Sequence, residues 1–267
     1  MIVRGVPHDP IAITQLTHAW VSGQLARAWG NERFGSVEPW EEVCLGAEQH
    51  DLGWTDWERR PTLHPATRMP RRFFELPTGE HVALWRDASQ RMLTQSRYAA
   101  LLVSLHISTL YERHTYVNDS PSEAQASRDF LAQEHAFQGV LLTGLRTDPR
   151  YARYATPEAV RRNQRLVAVW DDLSLLLGTG EPVEKVIEDV PAVAVNVRFV
   201  VTPLTTDGAR WAIDPWPFRE ATVSLRYEGR RLPTVPIEEE PAWQIAYAAA
   251  PWVSVDIMLS PKERTNP

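Results

Sequence analysis

Leu45-Gly46-Ala47-Glu48-Gln49-His50-Asp51-Leu52-Gly53-Trp54 closes an amphipathic helix with an imidazole and a carboxylate side by side. The helix opens at Glu38-Pro39, where proline suits the first helical position and Glu41 and Glu42 meet the positive end of the helix dipole, and it runs through Val43, Cys44 and Ala47. Neighbouring helical side chains diverge by about 100°, so the His50 imidazole can hold one ion while the Asp51 carboxylate reaches toward a second.

Upstream, Ile13, Leu16, Trp20, Leu25 and Ala28 recur at helical spacing between Ile11 and Trp29, with Gly30-Asn31 as a stop, and His18 falls inside this helix. Downstream, prolines 61, 65, 70 and 77 with Gly79 make residues 54–80 a long loop. Helical patterns resume over 81–95 and 97–114, the latter turning His106 toward its apolar face of Leu101, Leu102, Leu105 and Leu110. Ser120-Pro121-Ser122-Glu123 is a capping box that starts a helix over 121–146, and Thr156-Pro157-Glu158 starts another that ends at Leu177 before Gly178. Beyond Glu181 the period changes to the alternation of strands, over 193–201 and 222–227. The prolines in Trp211-Ala212-Ile213-Asp214-Pro215-Trp216-Pro217-Phe218 demote that segment to an edge or a connection. The expected fold is therefore mainly α: a helical domain over residues 1–180, with a small β-rich extension, residues 181–267, packed on it.

A His-Asp dipeptide alone says little. His8-Asp9 precedes Pro10 outside any helical pattern and reads as a surface turn. His50-Asp51 gains meaning from His18 before it and from Trp170-Asp171-Asp172-Leu173-Ser174 on a late helix. This arrangement resembles the HD-domain superfamily of metal-dependent phosphohydrolases, whose signature is a histidine, a His-Asp pair and a late aspartate on successive helices. The His-Asp-x-Gly-Trp string and the Pro-Trp-Pro-Phe segment are similar to an uncharacterised bacterial branch of it. The resemblance implies an HD-like helical bundle over residues 11–180 and assigns His18, His50, Asp51 and Asp172 to the metal, with Asp171 as the alternative. It also implies extra histidine ligands, for which His106 is the best placed, ahead of His135 and His114.

Imidazole and carboxylate ligands suit one or two borderline divalent ions, namely iron, manganese, cobalt, nickel or zinc. Such an ion generates hydroxide near neutral pH, which predicts hydrolysis of a small phosphate ester or nucleotide with Asp51 and His106 in catalytic roles. The loop after the pair adds planar cations and aromatic faces: Arg59 is the candidate to neutralise developing charge, and Trp54, Trp57, Arg60, Arg71 and Arg72 are candidates for substrate binding. The alternatives are a di-iron oxygenase, which would need the additional histidines, and a non-catalytic metal- or ligand-binding module.

Composition narrows the partners. With 43% hydrophobic and 23% charged residues the 267-residue chain is an ordinary globular protein, and it has no apolar run of membrane-spanning length. Its net charge of −6 argues against a general nucleic-acid surface and for a small-molecule substrate. Cys44 stands alone and the first residues lack a secretory pattern, so the expected location is the cytoplasm. The strands at the end could shield the helical core or build a homodimer contact.

Overall fold

The computed structural model describes residues 1–5, 9–113, 119–235 and 237–263. It is an α/β fold, in which helices pack on a curled, seven-stranded mixed sheet. The strands are β1 (Ile2–Arg4), β2 (Ile11–Ile13), β3 (Lys185–Val190), β4 (Val197–Pro203), β5 (Arg210–Asp214), β6 (Val223–Arg231) and β7 (Trp252–Pro261). Their spatial order is β1-β2-β6-β7-β5-β4-β3, antiparallel throughout except for the parallel pair β5 and β7.

The expectation of a mainly α, HD-like bundle with a small β extension is thus overturned. The sheet is large, and it takes strands from both ends of the chain, since Ile11 to Ile13 of β2 pair with Gly229 to Arg231 of β6. Two physical reasons account for the difference. Strands β1 and β2 have three residues each, too few to display a period of two. The apolar residues of β2 also continue the helical spacing of the segment behind them, although Thr14 is the true cap of the first helix and accepts from the Thr17 amide. The prolines that demoted the 211–218 segment lie beyond the end of β5, so Arg210–Asp214 is free to pair on both sides and sits inside the sheet.

The helices are α1 (Gln15–Ala28), α2 (Trp40–Glu48), α3 (Thr55–Arg59), α4 (Thr78–Trp85), α5 (Ala88–Arg91), α6 (Arg97–Glu112), α7 (Pro121–Thr147), α8 (Pro157–Thr179) and α9 (Glu240–Ala249). Helices α1 and α8 lie on the sheet, α2 and α6 pack behind them, and α7 covers α6. Strand β6 shows how the sheet meets this layer: Val223, Leu225 and Tyr227 are buried while Ser224, Arg226 and Glu228 alternate outward. The Tyr227 hydroxyl donates to the Ser174 carbonyl of α8 at 2.8 Å, so the one polar group on this buried face is satisfied.

Trp29 anchors the seam between helices and sheet, with the rings of Phe34, Trp170, Phe199 and Phe218 all at centroid distances of 5.4 to 6.0 Å. The contacts with Phe34, Trp170 and Phe218 are edge-on, a geometry that adds specificity to a large buried apolar area. A smaller core of Met1, Ala12, Leu63, Leu232, Trp243 and Tyr247 forms around α9, on the side of β2 opposite Ile13. Among the described residues, no helix is long and apolar enough to cross a membrane.

Candidate metal centre

Four helical segments deliver the polar residues of the interior to one point. His18 comes from α1, His106 from α6 and Asp171 from α8, and all three are held by the packing of these helices on one another. His50 and Asp51 lie in the turn just past the end of α2, where the Leu52 amide donates to the Gln49 carbonyl and the Trp54 amide to that of Asp51. Two glycines let this turn sit so deep. A Cβ on Gly46 would come within 3.1 Å of Leu102 on α6, and one on Gly53 within 2.8 Å of the Leu84 carbonyl and the Trp85 ring. The glycine of the His-Asp-x-Gly-Trp string is therefore needed for close approach.

The donor atoms form two groups, His18-His50-Asp51 and His50-His106-Asp171, each with its ligand atoms within 4.8 Å of one another. His18 Nε2 lies 2.5 Å from Asp51 Oδ2, and His18 Nδ1 lies 2.8 Å from the Ser174 hydroxyl, which in turn meets Ser22 Oγ at 2.8 Å. Asp51 Oδ2 also accepts from the Gln15 amide at 3.3 Å. His50 donates from Nδ1 to the Ala47 carbonyl at 2.7 Å, which fixes its ring and leaves Nε2 buried without a hydrogen-bond partner. That nitrogen faces Asp171 Oδ1 at 3.4 Å and Asp51 Oδ2 at 3.7 Å, while His106 Nε2 lies 3.8 Å from Asp171 Oδ2.

The electrostatics follow from this crowding. Burial alone would strip the proton from His50, but Asp51 and Asp171 outweigh it and raise the pKa to about 9. Burial opposes the charges on Asp51 and Asp171 as well, and the neighbouring histidines nevertheless hold both below the usual carboxylate range. His106 goes the other way: burial, reinforced by the charge on His50, lowers it to about 4, so its imidazole is neutral at physiological pH.

These residues fit a divalent transition metal. The donor set is three imidazoles and two carboxylates, and a fixed, unpartnered imidazole nitrogen points between the carboxylates. The two groups share His50, whose Nδ1 is committed to the Ala47 carbonyl, so its Nε2 can serve one ion at a time.

Asp171 stands where Asp172 was expected. Asp172 lines the same cavity as Asp171 but lies outside the donor groups and pairs with Lys185 Nζ at 3.6 Å, with 41% of its side chain exposed. Helix phase explains the choice, because Val167, Ser174 and Gly178, at four before and three and seven after Asp171, are all buried. His135 is exposed and pairs with Glu112 at 2.9 Å, away from the centre. His8 and His114 lie outside the described residues.

None of the loop candidates lines the cavity beside the centre. Trp54 is buried in the core against Trp57, His81 and Trp85. Arg71 pins its own loop by donating to the carbonyls of Leu63 and Glu75. Arg72 sits over the Phe74 ring, and Arg59 and Arg60 are exposed. The open side of the centre lies elsewhere, in a cavity of about 240 Å³ whose lining includes His106, Asp171, Arg113, Arg161, Gln164 and Arg165. Those arginines carried no sequence signal beyond a basic residue on a helix, and only the packing of α6 against α8 brings them together.

No curated protein and no solved structure matches the chain. The resemblance to HD-domain phosphohydrolases is overturned: that superfamily is a helical bundle, the fold here is built on a seven-stranded sheet, and the one family match is to a different family that carries no hydrolase assignment. Residues 1–234 match the family described as "Protein of unknown function (DUF3891)", and the chain belongs to that family.

Proposed function

We propose that the protein is a metal-dependent hydrolase of a small phosphate ester, working at the centre formed by His18, His50, Asp51, His106 and Asp171. The observation that carries this reading is the buried, unpartnered Nε2 of His50, set among two carboxylates and two further imidazoles, of which Asp171 and His106 line a cavity. A bound divalent ion supplies Lewis acidity and lowers the pKa of a coordinated water toward neutrality.

The chain's own residues do the rest. Ser174 and Ser22 orient His18, Ala47 orients His50, and Gln15 steadies Asp51, so the donors are set before any ion arrives. His106, neutral and on the cavity side, can ligate or accept a proton at Nε2. In the proposed reaction water adds to phosphorus, the P–O bond to the alcohol breaks, and the alcohol leaves with a proton.

The test is elemental analysis of protein purified without chelators or an immobilised-metal step, with Asp51→Ala alongside, followed by assay on a panel of phosphate esters. About one equivalent of a transition metal in the wild type, lost in Asp51→Ala together with ester hydrolysis, supports the proposal. A metal-loaded wild type that hydrolyses nothing on the panel argues for a binding module, and a protein that takes up no metal on reconstitution sinks the reading.

A further inference from the structure

The cavity that reaches the metal centre is lined by Arg113, Arg161 and Arg165 and by the carboxylates of Asp171, Asp172 and Asp189. Arg113, at the end of α6, and Arg161, on α8, make no ion pair among the described residues, whereas Arg165 is tied to β3 through the Glu188 and Asp189 carbonyls. Asp172 is paired with Lys185 and Asp189 with Arg165, so the guanidinium groups of Arg113 and Arg161 are the cations of this cavity left to take an anion with several acceptor oxygens.

A second cavity of about 210 Å³ adjoins the first, and Leu110 lines both. Its walls are apolar, with Phe73, Phe74, Leu76 and Leu110, and its main polar groups are engaged with each other, since His81 Nδ1 lies 2.6 Å from the Tyr111 hydroxyl. Leu110 is 41% exposed and Phe74 63% exposed, a large apolar surface to leave in water beside a polar centre. Such walls offer little to the hydroxyls of a sugar and much to a flat apolar body.

We propose that the substrate is a phosphomonoester of an apolar, preferably aromatic, alcohol: its phosphoryl group is held by Arg113 and Arg161 beside Asp171 and His106, and its organic part crosses Leu110 into the Phe73–Phe74–Leu76 cavity. The proposal rests on the hydrolytic reading of the centre and adds the recognition of the substrate to it.

The experiment is calorimetric titration of the reconstituted protein with inorganic phosphate and with phenyl phosphate, metal content being measured on each sample. The variants are Arg161→Gln and Leu110→Asn, both at exposed positions, with far-UV circular dichroism to check the fold. Phenyl phosphate is expected to bind about tenfold tighter than phosphate, from the apolar area that its ring buries. Arg161→Gln should weaken both ligands by about tenfold, and Leu110→Asn should erase the difference between them. Equal affinity for the two ligands, or unchanged phosphate binding in Arg161→Gln, overturns the inference while leaving the metal centre intact. Failure of the hydrolytic reading shows separately, as a sample without metal or as a metal-loaded protein that hydrolyses no ester on the panel, and the same titrations then report whether the arginine cavity takes phosphate by itself.

Discussion

Two of the buried polar clusters among the described residues differ in kind, and only one of this pair looks like a place for chemistry. Between α5, α6 and α7, Ser89 donates to Glu134 at 3.1 Å, and Gln138 donates to Ser104 and Ser108 at 3.0 and 2.6 Å. All of its members are neutral or easily neutralised, because burial pushes the Glu134 pKa up and a protonated carboxyl needs no counter-charge. The cluster at His50 is as deeply buried, yet it keeps two carboxylates ionised against imidazoles and leaves His50 Nε2 without a hydrogen-bond partner. The difference teaches that burial of polar groups does not by itself mark a site. What marks it is a set of charges that the interior tolerates only with a cation among them, next to an opening to solvent.

The strongest way to break this comparison is to alter one of two adjacent residues. Asp171→Asn removes a carboxylate from the centre, and the variant should retain less than about a tenth of the wild-type metal. Asp172→Asn changes a half-exposed side chain that serves Lys185, and its metal content should be that of the wild type. Elemental analysis of the two purified variants decides, and the reverse result would make Asp172 rather than Asp171 the ligand from α8.

A smaller and graded effect comes from pH. In the metal-free protein His50 keeps its proton up to about pH 9, against an ordinary value of 6.5. A raised folded pKa stabilises the fold fully below pH 6.5, and that contribution is lost as the pH rises through 9. A metal needs the same nitrogen deprotonated, so its affinity should rise by up to about tenfold per pH unit across this window. The melting temperature of the metal-loaded protein should therefore draw away from that of the chelated protein between pH 6.5 and 9, and a constant gap would mean that His50 is not a ligand.

Much of the centre could be read without coordinates because its residues sit on well-marked helices. His18 and His106 fall on the inward faces of α1 and α6, and the His50-Asp51 turn ends a helix whose start and apolar spacing are plain. Asp171 enters from the sequence only as the alternative to Asp172, although the burial phase of Val167 and Ser174 distinguishes the two. The sheet was much less legible. β1 and β2 are too short to show alternation, and β7, although it alternates, contributes a strand whose partners β5 and β6 are fixed by tertiary pairing. The arginines of the cavity were illegible for a related reason: Arg113 and Arg161 lie 48 positions apart on different helices, and nothing local links them.

The smallest effect sharpens the other half of the comparison. If the α5–α6–α7 cluster is a structural network of neutral groups, an amide should replace its carboxyl without loss. Unfolded Glu134 ionises near its ordinary pKa of 4.5, whereas the folded group resists ionisation, so its burial costs stability increasingly as the pH rises above that value. Glu134→Gln abolishes this cost and keeps an acceptor oxygen for the Ser89 hydroxyl. Urea unfolding should show the variant equal to the wild type near pH 4.5 and more stable at pH 8, by about 1 kcal/mol or less, with metal content unchanged. A loss of several kcal/mol, or loss of the metal, would mean that Glu134 works as a charge. The two clusters would then be one electrostatic system, joined through α6, which carries both Ser104 and His106.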